Sequence, residues 1–221
     1  MKIINYIKSD VRIGIAILVI FHTVGLVGIY VKGNEFVALT PFNLLLTLSV
    51  LLVYHEDYSK DFIRYLILIF AAGFAVELMG VRTGRIFGEY YYGNNLGFLV
   101  KGIPVIIGVN WLILCLATAH ISNLFTENIY LKSALAAVFM VFIDYFIEQL
   151  APAFNFWFWK NDVVPLQNYL AWFVVSFFFQ FMIWNLKFDV KNKIAPYVYA
   201  TQLVFFVVLF ILNKFNLLLL N

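Results

Sequence analysis

The chain has 221 residues, of which 64% are hydrophobic and only 12% are charged, about half the charged share of an average soluble domain. This composition excludes a water-soluble globular protein and predicts a single integral membrane domain over residues 1–221. The net charge of +3 comes with no basic stripe of the kind that binds nucleic acid. The lone cysteine, Cys115, excludes an intrachain disulfide and a cysteine-based metal cage.

Apolar runs long enough to cross a hydrocarbon core of about 30 Å recur along the whole chain. No small-residue cleavage site follows the first run, so we expect a retained helix there rather than a cleaved signal peptide. The pattern predicts an all-α bundle of about seven transmembrane helices, at residues 13–31, 37–54, 62–80, 103–120, 131–150, 169–184 and 197–212.

Basic residues favour one orientation of these spans. With the amino terminus inside, nine Lys and Arg residues, including Lys2 and Lys8, fall on the cytoplasmic side and six on the outer side. The positive-inside rule therefore predicts a cytoplasmic amino terminus and an outer carboxyl terminus. We expect the chain in the cytoplasmic (inner) membrane of a bacterium.

Three acidic residues, Glu77, Asp144 and Glu148, lie inside or at the ends of these apolar spans. A charged side chain at a membrane centre costs roughly 2.5–3.5 kcal/mol, so such residues usually face a protein interior or a water-filled pocket. The third and fifth spans run in the same direction, so all three carboxyl groups are expected near one side of the membrane. Other polar residues expected near this depth are Asn43, Asn110, Asn168 and His22.

Asp144 and Glu148 are one helical turn apart on one face. Two carboxylates this close in a low dielectric cannot both ionise cheaply, so one is expected to keep its proton while the other is charged, which yields an acid and a base. The alternative is that each forms an ion pair at the interface, for example Glu148 with Lys160.

The segment after the third span has glycines at Gly80, Gly84 and Gly88. If the helix continues, they form a smooth face, on the side of Glu77, that packs closely against a neighbouring helix. The alternative for Glu77 is an ion pair with Arg82 or Arg85 that holds the loop.

Aromatic residues crowd the two connecting segments on the carboxylate side. Trp and Tyr are favoured at the headgroup level, so an interfacial belt explains most of them. A sharper hypothesis is a pocket for a positively charged intermediate, since an aromatic face stabilises a cation by about 0.5–2 kcal/mol. The residues concerned are Tyr90, Tyr91, Tyr92, Trp157, Trp159 and Trp172.

The segment from Glu77 to Trp111 and the segment from Asp144 to Trp172 contain the acidic, glycine and aromatic residues described above. Both segments resemble the signatures of the carotenoid biosynthesis membrane proteins, whose characterised members are carotenoid hydratases, including the bisanhydrobacterioruberin hydratases. The chain differs at Gln149, where the family pattern has proline. The first matching block covers residues 77–93, 96–97, 102–104 and 110–111, the second covers 144–148, 151, 157–159, 165–168 and 172, and residues 40–43 fit a lesser signature.

The resemblance implies addition of water across the terminal carbon–carbon double bond of an acyclic carotenoid, with water and membrane lipid as the other partners and with no cofactor or metal. Asp144 is then the expected proton donor, while Glu148 and Glu77 hold the water or return the proton. Asn43, Asn110 and Asn168 are the expected hydrogen-bonding supports. The other expected substrate-binding residues are Tyr90, Tyr92, Trp111, Trp157, Trp159, Trp172, His22, Arg82 and Arg85.

Other membrane functions compete with this interpretation. A retinal protein needs a lysine deep in its last helix, where only Lys214 lies beyond the seventh span. A prenyltransferase holds diphosphate through magnesium and usually brings two acidic clusters, whereas one pair is present here. A carotenoid- or lipid-binding protein, or a proton-coupled transporter, also uses buried carboxylates.

Overall fold

The computed structural model describes residues 10–218. Lys2 and Lys8, on which the predicted orientation partly depends, lie outside the described residues. Helices account for most of the described chain, and four short strands lie in the connecting segments. The helices are α1 Val11–Lys32, α2 Asn34–Val37, α3 Thr40–Val53, α4 Lys60–Thr83, α5 Ile106–Asn123, α6 Ile129–Leu150, α7 Leu166–Ile183 and α8 Ala195–Lys214. The strands are β1 Tyr90–Tyr92, β2 Leu99–Val100, β3 Ile103–Pro104 and β4 Trp157–Trp159.

Local capping residues decide where several helices begin and end. The side chains of Asp10, Ser59 and Asn128 accept backbone N–H bonds in the first turns of α1, α4 and α6, which satisfies donors that have no partner inside the helix. Gly33 and Gly84 follow the ends of α1 and α4 with positive φ angles of 56° and 64°. Glycine adopts this conformation without a Cβ clash.

The predicted membrane bundle of about seven helices is confirmed. Within residues 10–218, six helices are long and apolar enough to cross a membrane, and α3, with 14 residues, is a shorter apolar helix. The predicted span 37–54 is shortened to α3, which begins at Thr40. Pro41 lies in the first turn of this helix, where its missing N–H costs nothing. The Thr40 hydroxyl donates to the carbonyl of Val37, the last residue of α2, at 2.7 Å.

Helix α5 lies at the centre of the bundle. Of its 18 residues, 78% are buried, against at most 39% of the most apolar 18-residue stretch of any other long helix. It packs against α3, α4, α6, α7 and α8, as expected of a helix that is apolar on all sides. The beginning of α5 therefore lies deep between its neighbours, and this is where the carboxyl groups of α4 and α6 converge.

The prediction of a continuous glycine face is wrong. Helix α4 ends at Thr83, and both Gly84 and Gly88 have positive φ angles. Only Gly80 remains in the helix, where an added Cβ would lie 2.7 Å from the Phe87 ring. The close approach is therefore between α4 and the loop that follows it.

The two connecting segments on the carboxylate side pair with each other. Strand β1 is antiparallel to β4, with Tyr90 opposite Trp159 and Tyr92 opposite Trp157. Strands β2 and β3 form a separate short hairpin. The β1–β4 pair extends over the end of the bundle at which Glu77 and Glu148 lie, as their hydrogen bonds to its side chains show.

Replacing Gly93 with alanine is expected to destabilise the protein by about 1–3 kcal/mol. Gly93 donates its N–H to the Phe156 carbonyl, and an added Cβ would overlap both the backbone and the side chain of Asn155. The β1–β4 pair must then separate. Thermal unfolding in detergent measures the effect.

Gly25→Ala is the matched control, because its Cβ would have its nearest neighbour 3.4 Å away within a helix. An equal unfolding temperature for the two variants would show that the contact at Gly93 does not matter for stability.

Candidate active site

Three carboxyl groups surround one small cavity. Glu77 comes from α4, whereas Asp144 and Glu148 come from α6, and each side chain is at most 3% exposed. The cavity has a volume of ≈ 20 Å³, which is room for about one water molecule. Its lining consists of Glu77, Phe87, Tyr90, Tyr92, Ile107, Asn110, Asp144, Ile147, Glu148, Trp157, Trp159, Asn168 and Trp172.

Glu77 accepts three hydrogen bonds. The hydroxyls of Tyr90 and Tyr92 donate to Oε2 at 2.6 and 2.8 Å, and Trp111 Nε1 donates to Oε1 at 3.2 Å. Burial, followed by the charge of Glu77, raises the pKa of both phenols above the usual range, so both keep their protons. Charge-assisted bonds of this kind are roughly twice as strong as neutral ones.

Glu148 also accepts three hydrogen bonds, all of them from N–H groups. The indoles of Trp157 and Trp159 donate to Oε2 at 2.9 and 2.8 Å, and Asn168 Nδ2 donates to Oε1 at 2.8 Å. An indole can only donate a hydrogen bond. The site around Glu148 therefore presents hydrogen atoms to both of its oxygens.

Asp144 has much weaker support. Asn168 Nδ2 donates to Asp144 Oδ2 over a long distance of 3.4 Å. The same amide group thus bridges the two acids of α6. Asp144 differs from Glu77 and Glu148 because it lacks a set of short donated bonds.

The β1–β4 pair positions the aromatic residues of the two connecting segments. Side chains alternate along a strand, so Tyr90 and Tyr92 point inward while Tyr91 is 59% exposed. For Tyr91 the belt interpretation stays a prediction. For Tyr90, Tyr92, Trp157 and Trp159 it is wrong, because all four donate to buried carboxyl groups. The alternation within Tyr-Tyr-Tyr and Trp-Phe-Trp is the signal that could have revealed this.

Two further indoles stack on each other beside the carboxyl groups, and one of them, Trp172, lines the cavity. Trp111 on α5 stacks on Trp172 of α7, with ring centroids 4.2 Å apart and planes inclined by 8°. Phe87 lies 6.4 Å from Trp172. Phe87, Ile107 and Ile147 line the cavity and were missed in the sequence, where they resemble other apolar residues of the spans.

Five of the sequence candidates lie outside the cavity lining, and one of them, Trp111, still donates a hydrogen bond to Glu77. Asn43 accepts a bond from Thr47 in a groove between α1 and α3, and His22 bonds the Leu18 carbonyl in a groove between α1 and α8. Arg82 and Arg85 are exposed. Asn110 and Asn168 do line the cavity.

The ion-pair alternatives are wrong. Lys160 pairs with Glu89 rather than with Glu148, and Glu77 bonds two phenols and an indole instead of Arg82 or Arg85. The cavity lining contains no Lys, Arg or His. Negative charge here is balanced by N–H and O–H dipoles alone. Within residues 10–218, no group of three or more His, Cys, Asp or Glu is arranged to hold a metal ion.

This arrangement can hold a proton, a water molecule and a transient positive charge. Glu77 and Glu148 each accept three hydrogen bonds, whereas the neighbouring Asp144 accepts one long bond. Aromatic rings close the space around all three carboxyl groups. A cation formed there would face negative charge and π-electrons, with bulk water excluded.

Comparison with known proteins agrees with the resemblance in the sequence. The family model described as carotenoid biosynthesis protein matches residues 39–220. A bisanhydrobacterioruberin hydratase from Haloarcula japonica is 31% identical over an alignment of 112 residues, which covers 45% of this chain and 36% of that relative. The match thus spans about a third of the relative's length. No solved structure matches the chain. Because the family model matches most of its length, the chain belongs to the carotenoid biosynthesis protein family.

Proposed function

We propose that the protein adds water to the terminal carbon–carbon double bond of an acyclic carotenoid and forms a tertiary alcohol. The observation that carries the proposal is the water-sized cavity enclosed by Glu77, Asp144, Glu148 and a wall of aromatic rings. Membership of a carotenoid biosynthesis family and the similarity to a hydratase support it.

The hydrogen bonds around the acids support a division of labour. Glu77 and Glu148 each accept three donated bonds, an environment that favours a negatively charged carboxylate. Three charged carboxylates around one small cavity would repel each other strongly. Asp144, which has the fewest donors, is then the acid that keeps a proton and can give it away.

The reaction balances with these groups and water alone. Asp144 transfers its proton to the less substituted carbon of the terminal double bond, and the other carbon becomes a tertiary carbocation. Water adds its oxygen to that carbon and then loses a proton. This proton returns to Asp144, directly or through Glu148, so the net change is the addition of one water molecule.

The surroundings match the needs of the cation and of the water. The rings of Trp159 and Trp172 line the cavity and can stabilise the carbocation by about 0.5–2 kcal/mol each. Asn110 also lines the cavity and offers an amide to orient the water. With a cytoplasmic amino terminus, which we also propose, the cavity lies toward the outer face of a bacterial inner membrane. A carboxyl-terminal reporter enzyme that works only outside the cytoplasm tests that orientation.

Expression of this chain in cells that accumulate lycopene, an acyclic carotenoid, is expected to yield pigments heavier by one water molecule for each hydrated end. Extraction and mass spectrometry of the pigments measure the conversion, and cells with an empty vector are the control. A pigment that purifies with the protein but never gains mass would instead indicate a carotenoid-binding protein.

A further inference from the structure

The helices that surround the cavity leave one gap on the lipid side. Among the helices that carry cavity residues, α4 packs closely on α5, α5 on α6, and α6 on α7. No comparable packing joins α4 to α7 within the described residues. The ring of helices is therefore closed on three sides and open between α4 and α7.

A short loop closes this gap. Phe87 places its ring against Gly80 of α4 on one side and Trp172 of α7 on the other. The Gln167 side chain, at the start of α7, donates to the Arg85 and Ile86 carbonyls at 2.6 and 3.1 Å. The barrier is thus mostly two aromatic rings and one amide group, which can be displaced at less cost than a packed helix.

An apolar groove lies on the outer side of the same loop. It has a volume of ≈ 440 Å³. Ile86 and Ala171 line it, and their chain neighbours Phe87 and Trp172 line the cavity, so the groove and the cavity share a wall. The residues of the groove are Arg85, Ile86, Leu166, Gln167, Leu170, Ala171, Val174 and Val175.

We propose that the carotenoid enters from the lipid between α4 and α7, with its end group passing Phe87 and Trp172 while the polyene lies in the groove along α7. This inference rests on the proposed function. A cavity of ≈ 20 Å³ holds about one water molecule but not an isoprene unit. The end group can therefore reach the acids only when the Phe87 and Trp172 rings move aside. The rest of the polyene must lie outside the cavity, in an apolar environment continuous with it.

The other apolar grooves lack this continuity. The groove between α1 and α8 includes His22 and Ala200, and the one between α1 and α3 includes Asn43. A third groove, along α1, includes Val27 and Phe36. None of the three contains a residue that lines the cavity or a chain neighbour of one. The α7 groove is thus the one that we assign to the substrate.

Ala171→Trp should obstruct the groove and raise the KM for lycopene about tenfold, with a much smaller change in kcat. Purified protein in liposomes of varied lycopene content supplies both constants. Ala200→Trp is the matched control, since the same substitution then fills a groove that is separate from the cavity. It should behave like the unmodified protein.

Val174→Trp is a second variant, because Val174 is 50% exposed and a larger side chain can be accommodated there without disturbing the fold. Thermal unfolding confirms that each variant is folded. Equal KM values for Ala171→Trp, Val174→Trp and Ala200→Trp would overturn the entry route and leave the groove as an ordinary lipid contact. Failure of the unmodified protein to hydrate lycopene would instead refute the proposed function.

Discussion

Asp144→Asn is expected to reduce hydration of lycopene by about a thousandfold or more, within the range that a general acid supplies. Asparagine has nearly the same shape, but its amide cannot deliver a proton of comparable acidity. The residue is 1% exposed, so bulk water cannot readily substitute for the lost acid. Mass analysis of pigments from the expressing cells measures the loss.

Asp162→Asn is the matched control for this variant. Asp162 is exposed, on the same side of the membrane, and has a positive φ of 54°, which asparagine tolerates well. Its activity should equal that of the unmodified protein. Full activity of Asp144→Asn would remove Asp144 from the role of proton donor and would require Glu77 or Glu148 to take it.

Glu148→Gln is expected to lower hydration by about a hundredfold and the free energy of unfolding by about 1–3 kcal/mol. Two indoles and the Asn168 amide all donate to the native carboxylate. A glutamine can offer its single oxygen to the indoles, but its NH₂ group then faces the donor of Asn168. That amide must rotate, which also changes the bond to Asp144.

Both effects can be separated from the loss of a surface charge. Glu35→Gln removes an exposed carboxylate from α2 and should leave activity and unfolding temperature unchanged. Pigment extracts and thermal unfolding in detergent report the two quantities independently. If Glu148→Gln keeps its stability but loses activity, the donated bonds serve catalysis alone. If it keeps both, the proposed role of Glu148 is wrong.

Much of the candidate site can be predicted from local sequence patterns. The spacing of Asp144 and Glu148 places both on one helical face, and the shared direction of α4 and α6 places Glu77 at the same depth. Helix period and membrane thickness alone support those predictions. Tyr90 and Trp159 are 69 positions apart in the chain, and no local pattern states that they face each other across a strand pair.

A shared depth in the membrane does not by itself predict that two residues are in contact. The sequence predicts His22 and Asn43 at the depth of the acids, yet each lies in a separate groove away from the cavity. Depth specifies one coordinate, whereas contact also requires the rotation of each helix and its place in the bundle. Those depend on packing around α5, in which almost every side chain is equally apolar.

The sequence by itself determined that this is a membrane bundle with three costly carboxyl groups and a family signature, because transfer energies and helical spacing are local properties. The tertiary structure alone decided that tyrosine and tryptophan donate to Glu77 and Glu148 and that Asp144 is left with one long bond. It also decided where the ring of helices is open. These features arise from contacts between distant segments, whose geometry is set by packing the whole chain at once.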